Sequence, residues 1–223
     1  MNMRLFLQAI GKFFLGVVLV GALIFLPAGT LAYWQGWLLM GILFIPMFLA
    51  GLFMMAKNPR LLKSRLDAKE KQADQSLMVK LSGLMFIGGF VVAGLDHRFS
   101  WLPLPKAVSL VGAGVFLLSY LLYGEVLREN TYLSRTIQVQ EGQTVVDTGL
   151  YGIVRHPMYS ATVLLFLSMP LVLGSVFSLL IFLVYPFLLV GRIKGEEALL
   201  EKELTGYREY KLKVRYRLIP FVW

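Results

Sequence analysis

The amino-acid sequence predicts an all-α fold, a polytopic transmembrane bundle of about six membrane helices. Of its 223 residues, 57% are hydrophobic and none is cysteine, and the mean hydropathy is +0.70. The apolar residues form uninterrupted blocks close to the ~20 residues that cross a bilayer, which is not typical of a soluble domain. The basic residues lie between these blocks, where they set the orientation of membrane proteins.

Four apolar blocks fill the first half of the chain and predict four spans. The first block could be misread as a secretory signal, but its apolar run exceeds the core of a signal peptide and further spans follow, so we interpret it as a retained helix. We predict two units, residues 1–127 with the four spans and residues 128–223 with a carboxyl-terminal core. The four blocks cover residues 11–32, 36–56, 77–95 and 104–123.

The distribution of the basic residues predicts the topology. The 22 Lys and Arg exceed the 13 Asp and Glu, but they cluster beside the spans, so the charge indicates orientation and no nucleic-acid partner. Seven lie in the 57–80 loop and eight follow Gly191, whereas residues 33–37 carry none. The alternation places the N-terminus, the 57–80 loop, the 128–155 segment and the C-terminal tail on the cytoplasmic side.

Polar helices are predicted beside the membrane. Asn58 and Pro59 are a suitable N-cap and first residue of a helix, and the pattern that follows indicates an interfacial amphipathic helix or a solvated connector. After Gly191, charged residues alternate with leucine at helical spacing, which predicts a polar helix ending near Gly206 and a second one over residues 207–214.

The last apolar block, residues 157–191, is too long for one crossing. As one helix its 35 residues would extend ~52 Å through a ~30 Å hydrocarbon core, and one crossing would also place the basic tail outside. Pro170 and Gly174 lie near its centre, where a turn is expected. We therefore predict a hairpin of two short helices, the fifth and sixth of the bundle.

Charged residues flank this hairpin at both ends. Arg155 and His156 precede Pro157, so a basic pair is expected at a helix N-terminus, where free backbone donors favour an anion. The alternative is a snorkelling arginine and a capping histidine. At the other end, Glu196 and Glu197 are expected in the first turn of the tail helix. If the hairpin closes, the cationic and anionic ends face each other and would suit a zwitterionic ligand such as an amino acid head group.

Other chemistry-bearing patterns are few. Glu125, Arg128, Glu129 and Asn130 are expected to pair among themselves, and residues 96–98 are expected in a short loop on the opposite side of the membrane. With two histidines on opposite faces and no cysteine, no metal site is predicted. The sequence contains no Walker motif, no GxGxxG and no serine elbow.

Two segments of the carboxyl-terminal hundred residues resemble the isoprenylcysteine carboxyl methyltransferase family and the related phospholipid methyltransferases. They are RENTYLSRTIQVQEGQTVVDTGLYGIVRHPMYSATVLL and RIKGEEALLEKELTGYREYKLKVRYRLIPF. The resemblance implies an integral membrane enzyme that binds S-adenosylmethionine between a cytosolic cap and the inner ends of its last helices. It also implies a lipid-like or prenylcysteine-like acceptor that approaches from the bilayer.

The resemblance also implies which residues bind. Glu196 would meet the positive end of the cofactor, and Arg192, four residues before it, would contact the acceptor. An arginine there favours methylation of a carboxylate, although an amine stays open. No residue is assigned a catalytic role, because methyl displacement needs alignment and a dry site more than a protein nucleophile. The other cofactor residues would be Gln140, Gln143, Thr144, Val145, Val146, Tyr151, His156, Pro157, Met158 and Tyr159.

Two other functions stay open at this stage. Membrane reductases of the sterol-reductase type also carry an Arg-His-Pro-like motif and a Tyr-x-x-Tyr tail, and they use NADPH. The adjacent Glu196 and Glu197 argue against them, because two carboxylates would repel a cofactor phosphate. A non-enzymatic scaffold would explain the charges but not their pairing across the hairpin. The oligomeric state is not predicted.

Overall fold

The computed structural model describes residues 3–66, 73–133 and 139–223, and in these residues the regular structure is helical throughout, as predicted. The basic residues Lys69, Lys71 and Arg135 of the topology argument lie outside the described residues. The α-helices are α1 (Met3–Ala28), α2 (Trp34–Lys57), α3 (Pro59–Leu66), α4 (Ala73–Phe99), α5 (Lys106–Glu129), α6 (Pro157–Val172), α7 (Val176–Phe182), α8 (Tyr185–Glu203) and α9 (Tyr207–Lys213), and residues Gly149–Gly152 form a 3-10 turn.

Five segments of the described chain are long and apolar enough to cross a membrane. They are α1, α2, α4, α5 and the combined α7–α8 segment, Val176–Glu203. The sixth apolar helix, α6, has 16 residues and so extends only ~24 Å, less than the ~30 Å hydrocarbon core. The chain is therefore an integral membrane protein with about six membrane helices.

The predicted hairpin turn lies where α6 ends. Gly174 adopts φ +70, a left-handed conformation that glycine tolerates without steric cost. Ser175 then caps α7, since its Oγ accepts a hydrogen bond from the Ser178 N–H at 3.2 Å. The same hydroxyl donates to the buried Asp96 carboxylate at 2.6 Å, so the turn is fastened to α4.

The prediction of a loop at residues 96–98 is wrong, because α4 continues through them to Phe99. Asp96 is held by the hydroxyl of Ser175, and the His97 ring stacks on Tyr33 with 4.0 Å between the ring centroids. These tertiary partners satisfy the polar side chains, so the last turn of α4 remains helical after its apolar run ends.

Helix α8 differs from the prediction in its length. It runs without a break from Tyr185 through Gly191 to Glu203, so the second arm of the hairpin and the predicted polar helix are one element. The two interior glycines, Gly191 and Gly195, cost only ~1 kcal/mol each, and most of the residues around and after them are strong helix formers. Glu196 and Glu197 therefore lie deep within α8, and their predicted place in the first turn of a helix is wrong.

Helices α5 and α6 pack closely, and so do α1 and α4. Small residues permit this approach: a Cβ on Gly112 would collide with Leu171 and the backbone of Val172, and one on Gly94 with the backbone of α1. Close backbone approach at small residues is typical of membrane helix pairs. This packing supports α6, whose N-terminal end forms one wall of the candidate site.

Candidate functional site

The Arg-His-Pro motif begins α6 and is joined directly to α8. Pro157 is the first residue of α6 and His156 is its N-cap. The Arg155 Nε donates to Glu197 Oε1 at 2.8 Å, and the His156 Nε2 lies 3.2 Å from the same oxygen. The hairpin thus closes as predicted, but Arg155 and Glu197 pair with each other without a ligand between them.

The same motif holds the tail, residues 204–223. The Arg155 guanidinium also donates to the carbonyls of Val214 at 2.8 Å and Arg215 at 2.7 Å. The Arg155 and His156 N–H groups donate to the carbonyls of Tyr216 and Arg217 at 2.8 and 2.9 Å. Because these partners satisfy the buried guanidinium, Arg155 fastens the tail to the start of α6 and is not an open anion site. We call Arg155 and His156, with their bonds to Glu197 and to the tail carbonyls, the latch.

A cavity of about 820 Å³, including the part open to solvent, lies above this latch. We call it the cap cavity. It is enclosed by α6, α8, the tail and the connecting segment, residues 139–156, which precedes α6. Its lining residues are Asn130, Tyr132, Leu133, Gln143, Thr144, Val145, Val146, Tyr151, Arg155, His156, Met158, Tyr159, Arg192, Glu196, Leu200, Leu204, Tyr207 and Tyr210.

Ten of the twelve residues predicted to bind cofactor or acceptor line the cap cavity; Gln140 and Pro157 do not. Pro157 is buried at the start of α6, and the Gln140 side-chain amide donates to the Tyr132 carbonyl. The ten residues come from three separate stretches of the chain, which the hairpin and the connecting segment bring together. They are Gln143, Thr144, Val145, Val146, Tyr151, His156, Met158, Tyr159, Arg192 and Glu196.

A chain of hydrogen bonds links the basic and acidic groups of the cavity wall. The Tyr159 hydroxyl donates to Glu196 Oε2 at 2.6 Å and accepts from the Arg192 Nε at 3.0 Å. Arg192 and Glu196 are four residues apart on α8 and so share one face of the helix. The cavity therefore presents a guanidinium and a carboxylate in fixed positions about one helical turn apart.

The tail contributes two tyrosines that the sequence reasoning did not select. The Tyr210 hydroxyl donates to the Tyr151 carbonyl at 2.8 Å, whereas the buried Tyr207 hydroxyl has no hydrogen-bond partner among the described residues. Burial raises the pKa of both phenols, so they are neutral at physiological pH. The two tyrosines have i, i+3 spacing, and charged residues lie between and beside them. This pattern predicts a buried helix face and could have identified both tyrosines from the sequence.

The connecting segment is anchored at the C-terminal end of α5. The predicted Glu125–Arg128 pair forms, at 2.6 Å. Glu129, by contrast, accepts a hydrogen bond from the Thr148 Oγ1 at 2.6 Å. Gly149 follows with φ +52, and a Cβ there would overlap the Glu129 carboxylate. The expectation that Glu129 pairs only within its own helix is thus wrong, because the connecting segment returns to it.

Comparison with known proteins supports the resemblance noted from the sequence. A family model described as isoprenylcysteine carboxyl methyltransferase (ICMT) family matches residues 110–202. This range contains α6 and most of α5 and α8, with the connecting segment between them. The match confirms the resemblance for this part of the chain and supports a membrane methyltransferase.

The chain is also similar to the Delta(14)-sterol reductase TM7SF2 of Mus musculus. The two are 33% identical over 91 residues, which are 40% of this chain. The chain spans only 22% of the length of that relative. The similarity is thus partial, and a reductase is not favoured over a methyltransferase.

Proposed function

We propose that this chain, whose residues 110–202 match the isoprenylcysteine carboxyl methyltransferase family, is an S-adenosylmethionine-dependent methyltransferase for a lipid-like acceptor. The observation that carries the proposal is the hydrogen-bonded series of Arg192, Tyr159 and Glu196 on the wall of the cap cavity. It offers an anionic and a cationic contact side by side at the inner end of the membrane helices.

The residues of the cap cavity suit S-adenosylmethionine. The Glu196 carboxylate can pair with the positive amino or sulfonium group, and the buried Tyr207 hydroxyl, which has no partner among the described residues, can bond to a polar group of the ligand. Tyr151 and Tyr210 supply aromatic surface, and residues 143–146 add four consecutive residues to the lining.

The residues around the cavity act by alignment and exclusion of water. When bound, the cofactor supplies a methyl group on a positively charged sulfur, which an acceptor takes by direct displacement. The latch of Arg155 and Glu197 keeps the tail closed over the cavity, which excludes water. Glu196 and Tyr159 fix the position of the cofactor relative to Arg192, and such alignment is the main requirement of a displacement reaction.

Arg192 favours an acceptor with a carboxylate. Its Nε is engaged by the Tyr159 hydroxyl, which fixes the plane of the guanidinium. A planar guanidinium suits a carboxylate better than it suits an amine. We therefore propose carboxyl methylation of a prenylcysteine-like lipid, whose apolar tail stays among the membrane helices.

Calorimetric binding tests the cofactor assignment. We expect the detergent-purified protein to bind S-adenosylmethionine and not NADPH, and Glu196→Gln to abolish that binding. Glu209→Gln, on the exposed face of α9, is the matched control and should bind like the wild type. Binding of NADPH in place of S-adenosylmethionine would refute the proposal in favour of a reductase.

The acceptor is tested by methyl transfer from radiolabelled cofactor. We expect transfer to a farnesylated cysteine with a free carboxylate and not to phosphatidylethanolamine. Arg192→Ala should raise the acceptor KM about tenfold or more while the cofactor affinity stays close to the wild-type value. Equal loss of acceptor use and cofactor affinity would contradict the assigned role of Arg192.

The same proposal places the cap cavity, both termini and α3 on the cytoplasmic side. Eight of the 22 basic residues follow Gly191, and basic segments stay inside. Because the chain has no cysteine, single cysteines can report the orientation. We expect a membrane-impermeant maleimide to label Ser100→Cys in intact cells and Thr205→Cys only after lysis; the reverse pattern would invert the topology.

A further inference from the structure

A second cavity lies between α1, α2 and α3, apart from the cap cavity. Its volume is about 1110 Å³, including the part open to the surroundings. We call it the α1–α2 cavity, and it shares no lining residue with the cap cavity. Its lining residues are Phe6, Ala9, Ile10, Lys12, Phe13, Met47, Phe48, Gly51, Leu52, Met54, Met55, Leu62 and Leu66.

The cavity lies beside a direct contact between the two long helices. The rings of Phe13 on α1 and Phe44 on α2 are in edge contact with 5.7 Å between the centroids, and Phe13 itself lines the cavity. Leu62 and Leu66 of α3 complete the lining. Several lining residues are methionines, whose flexible side chains adapt to varied apolar ligands.

Among the described residues, Lys12 is the one charged side chain in this lining. It lies 16 residues before Ala28, the last residue of α1, which is ~24 Å along the helix. At this distance from Ala28 the lysine lies near the boundary of a ~30 Å hydrocarbon core, and its side chain is exposed. A lysine at such a position can direct its ammonium group to the lipid head groups.

The contacts of Lys12 leave room for an anion. Within the described ranges, its Nζ donates to the Leu66 carbonyl at 2.6 Å, which is a neutral acceptor at the end of α3. Lys57 and Lys63, both exposed, lie on the helices that border the cavity and extend the positive charge towards the interface. Apolar walls with a cationic rim match the chemistry of a lipid with an anionic head group.

We propose that the α1–α2 cavity binds an acyl chain of an anionic phospholipid whose phosphate pairs with Lys12. Selectivity arises at the head group, because a chain that leaves the bilayer for an apolar cavity exchanges one apolar environment for another. A phospholipid is favoured over a free fatty acid because Lys57 and Lys63 continue the positive charge beyond the reach of a lone carboxylate. The site is independent of the cofactor and acceptor proposed for the cap cavity.

The head-group contact is tested by native mass spectrometry of the full chain in detergent. The protein is mixed with phosphatidylglycerol or with phosphatidylcholine of the same acyl chains. We expect the wild type to retain phosphatidylglycerol more tightly than phosphatidylcholine. Lys12→Met should weaken the binding of phosphatidylglycerol about fivefold, which corresponds to the attraction of one lysine for an anionic lipid surface. Lys106→Met, at the exposed start of α5, should behave like the wild type.

The cavity itself is tested by filling it. Gly51 lines the cavity and a Cβ there meets nothing within 4 Å, so we expect the side chain in Gly51→Phe to extend into the cavity and displace the lipid. Gly41→Phe is the matched control, since Gly41 is also on α2 with open space around it and does not line the cavity. S-adenosylmethionine binding, measured in each variant, should be unchanged because none of these residues lines the cap cavity.

Several results would overturn the proposal. Equal retention of phosphatidylglycerol by the wild type and Lys12→Met would exclude the head-group contact. Equal retention by Gly51→Phe and Gly41→Phe would exclude the cavity. Preferential retention of a free fatty acid would assign another ligand, and displacement of the phospholipid by a farnesylated cysteine would make the cavity part of the acceptor site. Failure to bind S-adenosylmethionine would refute the proposed function while leaving this test intact.

Discussion

The latch at Arg155 can be separated experimentally from a ligand-binding role. Arg155 is 6% exposed and Glu197 is 3% exposed, so the Arg155→Ala substitution leaves a buried carboxylate with fewer partners. Removing one member of a buried pair costs ~3–5 kcal/mol when the other is left unpaired, but Glu197 keeps His156 at 3.2 Å and Arg217 at 3.0 Å, so we expect the lower end of this range. If ~3 kcal/mol is lost from the closed state of the tail, the tail opens roughly 10² times more often.

Limited proteolysis in detergent measures this opening. The substitution also removes the donors to the carbonyls of Val214 and Arg215, so trypsin should cut the tail at Arg215 and Arg217 much faster than in the wild type. Arg208→Ala changes an exposed arginine of the same tail and should leave the rate of cleavage at these two sites unchanged.

A comparison with cofactor binding identifies the role of the arginine. If Arg155 is a latch, its loss accelerates cleavage and weakens S-adenosylmethionine binding together, because the opened tail no longer encloses the cavity. Glu196→Gln should weaken binding while the tail stays protected. Loss of binding in Arg155→Ala with a tail as resistant as the wild type would refute the latch and make Arg155 a direct ligand contact.

Three further predictions concern the connecting segment and the tail. Tyr207→Phe should weaken cofactor binding by ~0.5–1.5 kcal/mol in calorimetry. It should also raise the thermal midpoint of the ligand-free protein, because it removes a buried hydroxyl that has no partner among the described residues; a lower midpoint would show that the hydroxyl has a partner in the protein. Gly149→Ala should lower the thermal midpoint by more than Gly142→Ala does, because both glycines have positive φ but only a Cβ at position 149 would overlap Glu129. Equal shifts would show that the overlap costs nothing and that each substitution costs only the ~1–2 kcal/mol of a non-glycine residue in the left-handed conformation. Burial raises the pKa of Tyr207 and Tyr210, so their neutral forms stabilise the fold below the ordinary phenol pKa of ~10, and this contribution should fall as the pH rises above that value. Tyrosinate absorbance and proteolysis of the tail should therefore increase together. Ionisation of the tyrosines without opening of the tail would contradict their proposed contribution to the closed tail.

The membrane helices and the hairpin could be predicted because the bilayer restricts the lengths and orientations that its helices can have. The length of the last apolar block, the positions of the basic loops and the turn residues Pro170 and Gly174 are enough to predict the hairpin. The same reasoning ended the second arm at Gly191, where the hydropathy falls, but backbone hydrogen bonding continues wherever nothing interrupts it. Hydropathy thus locates the membrane-embedded part of α8 and says little about where the helix ends.

The site was predictable in its cavity-lining residues and not in its latch. The ten lining residues follow from the family resemblance, whose motifs lie in three stretches between Gln143 and Glu196. The latch depends on the Arg155 and His156 N–H groups meeting the carbonyls of Tyr216 and Arg217, about sixty residues away. Backbone groups carry no residue-type signal, so no pattern in the tail reveals this pairing. The same pairing explains why Arg155 is no open anion site although its sequence context favours one.

The adjacent Glu196 and Glu197 lie on different faces of α8, and their surroundings indicate different roles, one in ligand binding and one in holding the fold. Successive residues of an α-helix point ~100° apart. Glu197 continues the buried stripe of Leu189 and Ile193 on α8 and pairs with Arg155, whereas Glu196 shares its face with Arg192 and accepts from the Tyr159 hydroxyl. A charged residue in register with a buried apolar stripe requires a buried partner, which identifies Glu197 as the structural member of the pair. Glu196, half-buried at the cavity wall, is the carboxylate that a ligand can reach.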